Sequence, residues 1–379
     1  MKLGEVCDSI SVTFDKTKQK VVLVNTSDVF NGKVTNHALV DNKGLKGQFK
    51  KTFQKGDILY SEIRPKNKRF AFIDFNANDY VASTKLMVIR ANKKVLPQYL
   101  YQVLKSEEVI NQLQSLAESR SGTFPQITFS ELAQIDARIP ELAEQKEIAD
   151  FLKLFDDKIE LNNKINHHLA ELIDAQFAHL LEDNELYKST FSEIGEIVGG
   201  GTPSKKVDDY WNGDIPWLSP KDLSLNPAMF TGRGQNSITE LGYKKSSAKL
   251  MPRNSILFSS RAPIGYITIA ENDISTNQGF KSIIPKPEYP YTFVYELLKQ
   301  ETPSLESSAS GSTFKEVSGT HLKNHEIRIP PHSAIIKFHE SVEPLFKTIN
   351  LNEKEIQKLI EVRDLLLPTL MSGEISVSD

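Results

Sequence analysis

The feature that most constrains this chain is that it resembles itself. Thr123-Phe124 recurs as Thr313-Phe314, Leu132 as Leu322, and Arg138-Ile139-Pro140 as Arg328-Ile329-Pro330, each 190 residues later. The same offset carries Ile159-Glu160-Leu161-Asn162 onto Ile349-Asn350-Leu351-Asn352, and Lys164 and Leu169 onto Lys354 and Leu359. Upstream the match loosens: Leu3-Gly4-Glu5-Val6 resembles Phe191-Ser192-Glu193-Ile194 at an offset of 188, and Asp57-Ile58-Leu59 resembles Ser255-Ile256-Leu257 at 198. Self-similarity at a fixed period means one structural unit built more than once. Fixed backs with variable fronts describe two modules that share a scaffold and do different versions of one job. A length of 379 residues fits this, because single cores usually stop growing well before that size.

The fixed backs read as long helices. Ile148, Leu152, Phe155, Ile159, Asn162, Asn166, Leu169, Ile173, Gln176 and Leu180 keep strict 4-3 spacing, the pattern of a coiled-coil seam. Adding 190 gives an equivalent stripe of Phe338, Val342, Leu345, Ile349, Asn352, Ile356, Leu359, Arg363, Leu366 and Leu370. One such stripe alone would be explained by a helix packed on its own globular core; two in register point to helices packed on each other. At about 1.5 Å per residue, roughly 34 residues would reach about 50 Å. Antiparallel pairing about a pseudo-twofold axis is expected, with Asn162 and Asn352 near mid-helix fixing the register at some cost in stability. Pro140 and Pro330-Pro331 mark the helix entries, and Pro344 is expected to delay or kink the second helix.

The fronts mix strand-like runs (Val21-Val22-Leu23-Val24, Phe70-Ala71-Phe72-Ile73, Leu86-Met87-Val88-Ile89) with a helical stretch from Leu96 to Leu116. That is a mixed α/β reading, with polar Gly-rich connections of the kind that carry function on a rigid scaffold.

The net charge of −3 hides a division. Residues 1–140 carry 21 Lys+Arg against 14 Asp+Glu, residues 141–188 carry 5 against 12, residues 189–330 balance at 15 each, and residues 331–379 carry 5 against 8. The basic front concentrates Lys43, Lys46, Lys50, Lys51, Lys55, Arg64, Lys66, Lys68 and Arg69, interleaved with Phe49, Phe53, Tyr60 and Phe70. Clustered cations suit phosphates, and arginine also addresses guanine edges; the competing reading of such a run is a solvated face. In the second front Lys205, Lys206, Lys221, Arg233, Lys244, Lys245, Lys249, Arg253 and Arg261 are more scattered. Ser119-Arg120-Ser121-Gly122-Thr123 and Ser308-Ala309-Ser310-Gly311-Ser312-Thr313 fall at the same point of both modules. They are either small-residue loops that let backbone amides approach phosphate or plain turns.

Several classes are disfavoured. No run approaches the twenty apolar residues of a membrane span, and the first residues lack the apolar stretch of a signal peptide, so a cytoplasmic protein with no membrane partner is expected. The lone Cys7 can form no internal disulfide and reads as a small buried residue. His167-His168 are helix neighbours that do not share a face, so no metal site is expected.

The run Gly199-Gly200-Gly201-Thr202-Pro203-Ser204-Lys205-Lys206, followed by Tyr210-Trp211 and Gly213-Asp214-Ile215-Pro216-Trp217-Leu218, resembles the opening of a target-recognition domain in type I restriction-modification specificity subunits. Ile139-Pro140-Glu141-Leu142-Ala143-Glu144-Gln145-Lys146-Glu147-Ile148 is similar to that family's entry into its spacer helix. The second copy departs from it with Ala334 and Ile335 in place of Glu144 and Gln145, and the first front lacks the Gly-Gly-Thr-Pro-Ser opening, so the resemblance does not extend to equivalent contacts by both halves.

The resemblance implies an α+β chain with four segments: a first target-recognition domain (1–140), a first spacer helix (141–188), a second target-recognition domain (189–330) and a second spacer helix (331–379). It implies a non-catalytic subunit that reads a bipartite, asymmetric target on double-stranded DNA. Thr202, Ser204, Arg120, Ser121, Thr123, Ser312 and Thr313 join the basic residues as candidate DNA contacts. It further implies two modification subunits carrying S-adenosylmethionine and two restriction subunits using ATP and magnesium, with no cofactor on this chain. Two rivals stand beside it. A stand-alone adenine methyltransferase would need a Gly-rich cofactor turn and an Asn/Asp-Pro-Pro-aromatic motif, which Asn226-Pro227-Ala228-Met229 does not supply. A coiled-coil adaptor without DNA contact would show no salt-dependent DNA binding.

Overall fold

The computed structural model describes residues 1–30, 32–43, 47–120, 124–309 and 315–377. The chain divides into two compact units, Met1–Lys158 with Lys358–Asp379, and Ile159–Gln357. Both are mixed α/β.

The first unit holds two four-stranded sheets. In one, Cys7–Ile10 pairs with Leu86–Ala91, which pairs with Ile58–Ser61 and that with Phe70–Phe72, all antiparallel. In the other, Leu39–Asp41 lies antiparallel to Lys20–Val24, which runs parallel to Tyr80–Ser83, itself antiparallel to Phe49–Lys51. Central strands buried on both faces read as continuous apolar runs, and Ile58–Tyr60 and Leu86–Ile89 are such runs. Cys7 is buried, its thiol donates to the Leu3 carbonyl at 3.3 Å, and burial pushes its pKa up to about 12. The expected helix from Leu96 to Leu116 is two helices, Pro97–Lys105 and Glu107–Arg120. Ser106 between them is extended, with its hydroxyl donating to Val103 O (2.8 Å) and accepting from Val109 N (3.4 Å). A serine that offers the backbone these partners ends one helix and caps the next.

The second unit repeats the strand order. Gly195–Gly199, Lys281–Pro285, Ile256–Ser260 and Ile264–Ala270 follow one another antiparallel, and a fifth strand, Phe230–Thr231, adds parallel to the last. In its other sheet Asn236–Ile238 lies antiparallel to Trp211–Leu218, which runs parallel to Ile274–Thr276, itself antiparallel to Leu250–Met251. Apart from that fifth strand, these two sheets keep the order and the strand directions of the two in the first unit.

Two 41-residue helices, Leu142–Glu182 and His332–Ser372, contribute to both units. The prolines stand just before the helices rather than within the first turn; Gln145 N bonds Glu141 O at 3.0 Å, and Ala334 N bonds Pro331 O at 2.9 Å. Pro344 neither delays nor interrupts the second helix: its side chain is exposed, and the Thr348 hydroxyl caps its carbonyl at 2.8 Å. Every position of both 4-3 stripes is buried or half-buried. In the first unit Ile148 and Leu152 share a core with Leu367 and Leu370. In the second, Ile173, Phe177 and Leu180 share one with Phe338, Val342, Phe346 and Ile349. There Asn162 Nδ2 donates to Glu355 Oε2 (2.7 Å), Asn352 Nδ2 to Asn166 Oδ1 (2.8 Å) and Ser341 Oγ to Gln176 Oε1 (2.8 Å). Partner numbers that fall on one helix as they rise on the other describe antiparallel neighbours. Among the described residues no helix is long and apolar enough to cross a membrane.

Candidate nucleic-acid interface

In the first unit the most sharply built part of the basic surface is the turn between Ile58–Ser61 and Phe70–Phe72. A short 3-10 helix, Pro65–Asn67, is bracketed by Arg64 (φ 46°) and Lys68 (φ 52°), both in the left-handed region. Side chains other than glycine rarely adopt that conformation, and it persists only where surrounding bonds over-determine it. Here they do: Arg64 N bonds Pro125 O (3.1 Å), Lys66 N bonds Gln114 Oε1 (3.2 Å), Asn67 N bonds Arg64 O (2.8 Å), and Ile127 N bonds Glu62 O (2.9 Å). The Arg64 and Lys66 side chains are exposed and have no acidic partner among the described residues.

The other cations of this front divide by role. Lys43, Lys50 and Lys55 are exposed. Lys51 turns inward, donating to Leu86 O at 2.8 Å and Thr84 O at 3.2 Å with Glu62 at 3.9 Å; burial lowers its pKa. Lys68 pairs with Glu107, and Arg69 donates to Ser27 O (3.1 Å) with its guanidinium 5.0 Å from the Phe30 ring centroid. Lys46, Ser121, Thr123, Ser312, Thr313 and the side chain of Arg120 lie outside the described residues. The aromatic residues interleaved with the basic run belong to the core: Phe53, Tyr60 and Phe70 are buried and Phe49 is half-buried. The exposed rings are instead Phe30 and Phe124, 43% and 65% exposed, which the sequence reading did not assign to the site. Only the recurrence of Thr-Phe in both modules singled Phe124 out.

In the second unit the glycine run is a packing device. A Cβ on Gly200 would stand 2.0 Å from Asn277 O, and one on Gly201 2.4 Å from the Ser247 carbonyl carbon. Trp217 Nε1 donates to Gly201 O (3.0 Å), Trp211 Nε1 to Ser204 O (3.2 Å), and the two indoles meet edge to face at 5.1 Å. The loop so pinned presents Ser204, Lys205 and Lys206 to solvent, while the Thr202 hydroxyl bonds Gln278. Gly201 packing on Ser247, and Gly242 on Tyr210, set this loop beside the end of helix Glu240–Lys244. Lys244 pairs with Glu240 at 2.9 Å, and Lys245 and Lys221 are exposed. Arg261 and Lys281 both reach Glu316 at 3.4 Å, which neutralises part of this surface.

Of the helix residues named from the sequence, Ile148, Leu152, Asn162, Ile349 and Ile356 are buried, and Phe155, Ile159, Leu169, Asn352 and Leu359 are half-buried. His167 and His168 are exposed and lie against Glu171. Among the described residues no group of three or more His, Cys, Asp or Glu could hold a metal ion.

A family model described as the type I restriction modification DNA specificity domain matches the chain twice, over residues 1–171 and 184–361. The type I restriction enzyme HindI specificity subunit of Haemophilus influenzae is 32% identical over 453 aligned positions, covering 98% of both chains. The MjaIX specificity subunit of Methanocaldococcus jannaschii is 42% identical over 171 residues, 45% of this chain and 39% of that one. A type I restriction-modification S subunit from M. genitalium has a similar fold, with a TM-score of 0.57 at 18% identity, covering 98% of this chain and 95% of that one.

Proposed function

The chain belongs to the type I restriction-modification DNA specificity family, and from that premise we propose how it divides the work of reading a target. As a specificity subunit it recognises a DNA sequence and is itself non-catalytic, which sets aside the adaptor and methyltransferase readings. In our reading two target-recognition domains, 1–140 and 189–330, each read one half of a split asymmetric site. Two spacer segments, 141–188 and 331–379, pair as an antiparallel coiled coil about a pseudo-twofold axis and act as the ruler between the half-sites. The observation that carries this is the double family match on two units of one strand order. The paired Asn162–Glu355 and Asn352–Asn166 contacts support the helix pairing.

In the same reading the candidate DNA contacts remain those named above, with Arg64, Lys66, Lys205 and Lys206 foremost. Partners are double-stranded DNA, two modification subunits carrying S-adenosylmethionine, and two restriction subunits using ATP and magnesium, all in the cytoplasm. Exposed apolar side chains on the acidic helices of the second unit, Leu161, Ile165, Leu172 and Leu351, would serve subunit docking.

Methylome sequencing of a host carrying this chain with its modification partner tests the proposal. The expected result is one methylated motif of two short half-sites separated by a fixed run of unspecified bases. A contiguous motif would overturn the two-reader arrangement. Filter binding by the complex should also weaken steeply as salt rises.

A further inference from the structure

In the second unit the short helix Pro220–Leu225, which bears the exposed Lys221, continues into an arm, residues 226–229, and then into the fifth strand, Phe230–Thr231. The long helix His332–Ser372 holds this arm. The Glu353 carboxylate accepts from Met229 N at 2.7 Å and from Phe230 N at 3.0 Å, one oxygen for each, and the Phe230 ring meets Phe346 of the same helix edge to face at 6.4 Å. Lys354 pairs with Glu271, whose backbone N–H donates to Thr231 O at 3.0 Å. One turn beyond Glu353, Gln357 Nε2 donates to Asn226 Oδ1 at 3.5 Å.

Apolar burial alone would not fix the arm. It is non-directional, so Phe230 on Phe346 keeps the arm near the helix without setting its angle. A carboxylate that takes two successive N–H groups sets position and direction together. The contact also works against folding stability: burial and the neighbouring Glu271 push the Glu353 carboxyl up to about 7, against the pull of the two N–H groups, and Lys354 is paired with Glu271 instead. An acid held where ionisation is costly points to a use beyond stability.

We infer that Glu353 is a positioning residue: it clasps the second recognition domain to its own spacer helix and so fixes where along the duplex that domain's half-site must lie. The inference rests on the split-site reading above. One base pair is about 3.4 Å of duplex, so a domain that rocks on its helix by that much accepts a gap one pair shorter or longer. The clasp belongs to the second module. The residue 190 positions before Glu353 is Asn163, which has no carboxylate, and in the first unit the segment at the fifth strand's place meets its sheet by a parallel bridge of Gly32 with Ala71.

The test uses the complex of this chain with its modification subunit and duplexes that carry both half-sites at the cognate gap and at gaps one base pair shorter and longer. The parent should prefer the cognate gap. Glu353→Gln keeps one acceptor but sets an amide NH2 against the other backbone N–H, and it should narrow that preference by about tenfold, the scale of one charge-assisted hydrogen bond. Lys354→Gln releases Glu271 while leaving both bonds of Glu353 in place, and should narrow the preference by less. Spin labels at positions 225 and 351, both exposed in the second unit, should give one narrow distance in the parent and a broader distribution in Glu353→Gln. A gap preference unchanged in Glu353→Gln would overturn the inference. So would a loss of binding by the same factor at every gap, which would make Glu353 a contact that only stabilises the fold. A parent complex that binds no split site would overturn the recognition reading itself, and this inference with it.

Discussion

In the first unit the strand Ile58–Ser61 is anchored at its foot by Asp57, 1% exposed, whose carboxylate takes Arg90 Nε at 2.7 Å and Nη2 at 2.8 Å. In the second unit the same two positions hold Ser255 and Ile284, because Ile58 pairs with Ile89 as Ile256 pairs with Ile283. The helices repeat the lesson. Asp156 receives Lys105 at 2.9 Å and Arg363 at 2.7 Å, whereas the positions 190 residues away are Phe346 and Ile173, both in the apolar core of the second unit. At these two places a buried acid and its arginine have been exchanged together, Asp57 with Arg90 and Asp156 with Arg363. Removing one partner strands the other without water, while replacing both with well-packed apolar groups is nearly neutral. One strand order can therefore carry two different interiors, as these two exchanged pairs show.

The sharpest way to break this comparison is to remove one member of a set. Asp57→Ala should cost the first unit about 3 kcal/mol, because it also removes the acceptor of Gln54 N at 2.8 Å, while Asp57→Ser with Arg90→Ile should cost about 1 kcal/mol. Urea unfolding of both variants reads the difference, and equal losses would mean the sets are not exchanged as units. Gln145 gives the next effect. Its fully buried amide accepts from Leu96 N (2.8 Å) and donates to Lys94 O (3.0 Å) and Pro140 O (2.8 Å). Gln145→Ile installs the residue found at the matching position, Ile335, which sits in the apolar core of the second unit. It should destabilise by about 2 kcal/mol, because three backbone groups lose their partner, and a melting curve as stable as the parent would refute that account.

A comparable effect separates the corresponding helices Pro97–Lys105 and Tyr291–Ser307, where Tyr101-Gln102-Val103-Leu104-Lys105 reads against Tyr295-Glu296-Leu297-Leu298-Lys299. Glu296 is 3% exposed, and burial pushes its carboxyl up to about 8, against the pull of Lys299 at 3.5 Å. A pKa raised on folding means that the neutral acid stabilises the fold. That stability is complete below about 4.5 and is lost as pH rises through about 8. Glu296→Gln, the amide already present as Gln102, should raise stability by about 2 kcal/mol at pH 8.5 and change little at pH 5. Thermal melts at the two pH values read it; an equal shift at both would show that ionisation is not the cause.

How much of this was legible follows from which patterns are periodic. The long helices, the repeat and the mixed α/β character come from local spacing, and Ile148 through Leu180 state it openly. The strand order was not legible, because the parallel pairing of Lys20–Val24 with Tyr80–Ser83 joins segments some sixty residues apart that share no local signal. The aromatic residues threaded through the basic run looked like stacking partners, but Tyr60 lies on a central strand buried on both faces and Phe70 on the strand paired with it, so both rings join the core, and Lys51 turns in to the carbonyls of Leu86 and Thr84. Glycines 199 to 201 were legible as a motif, whereas their purpose, close approach to Asn277 and Ser247, needed the fold.

The smallest expected effect concerns the helix contact within the second unit. Asn162 is 1% exposed and spends its amide on Glu355, and Asn352 spends its own on Asn166. Amides at seam positions lower stability and fix register, because a slipped alignment leaves them buried without partners. Asn162→Leu with Asn352→Leu should therefore raise stability by about 1 kcal/mol while loosening the alignment. Spin labels at positions 165 and 351, both exposed, would give one distance in the parent chain and a broadened or doubled distribution in the variant. A single sharp distance with no gain in melting temperature would show that apolar packing of residues such as Ile173, Phe338 and Ile349 sets the register alone, and that the amides contribute nothing to it.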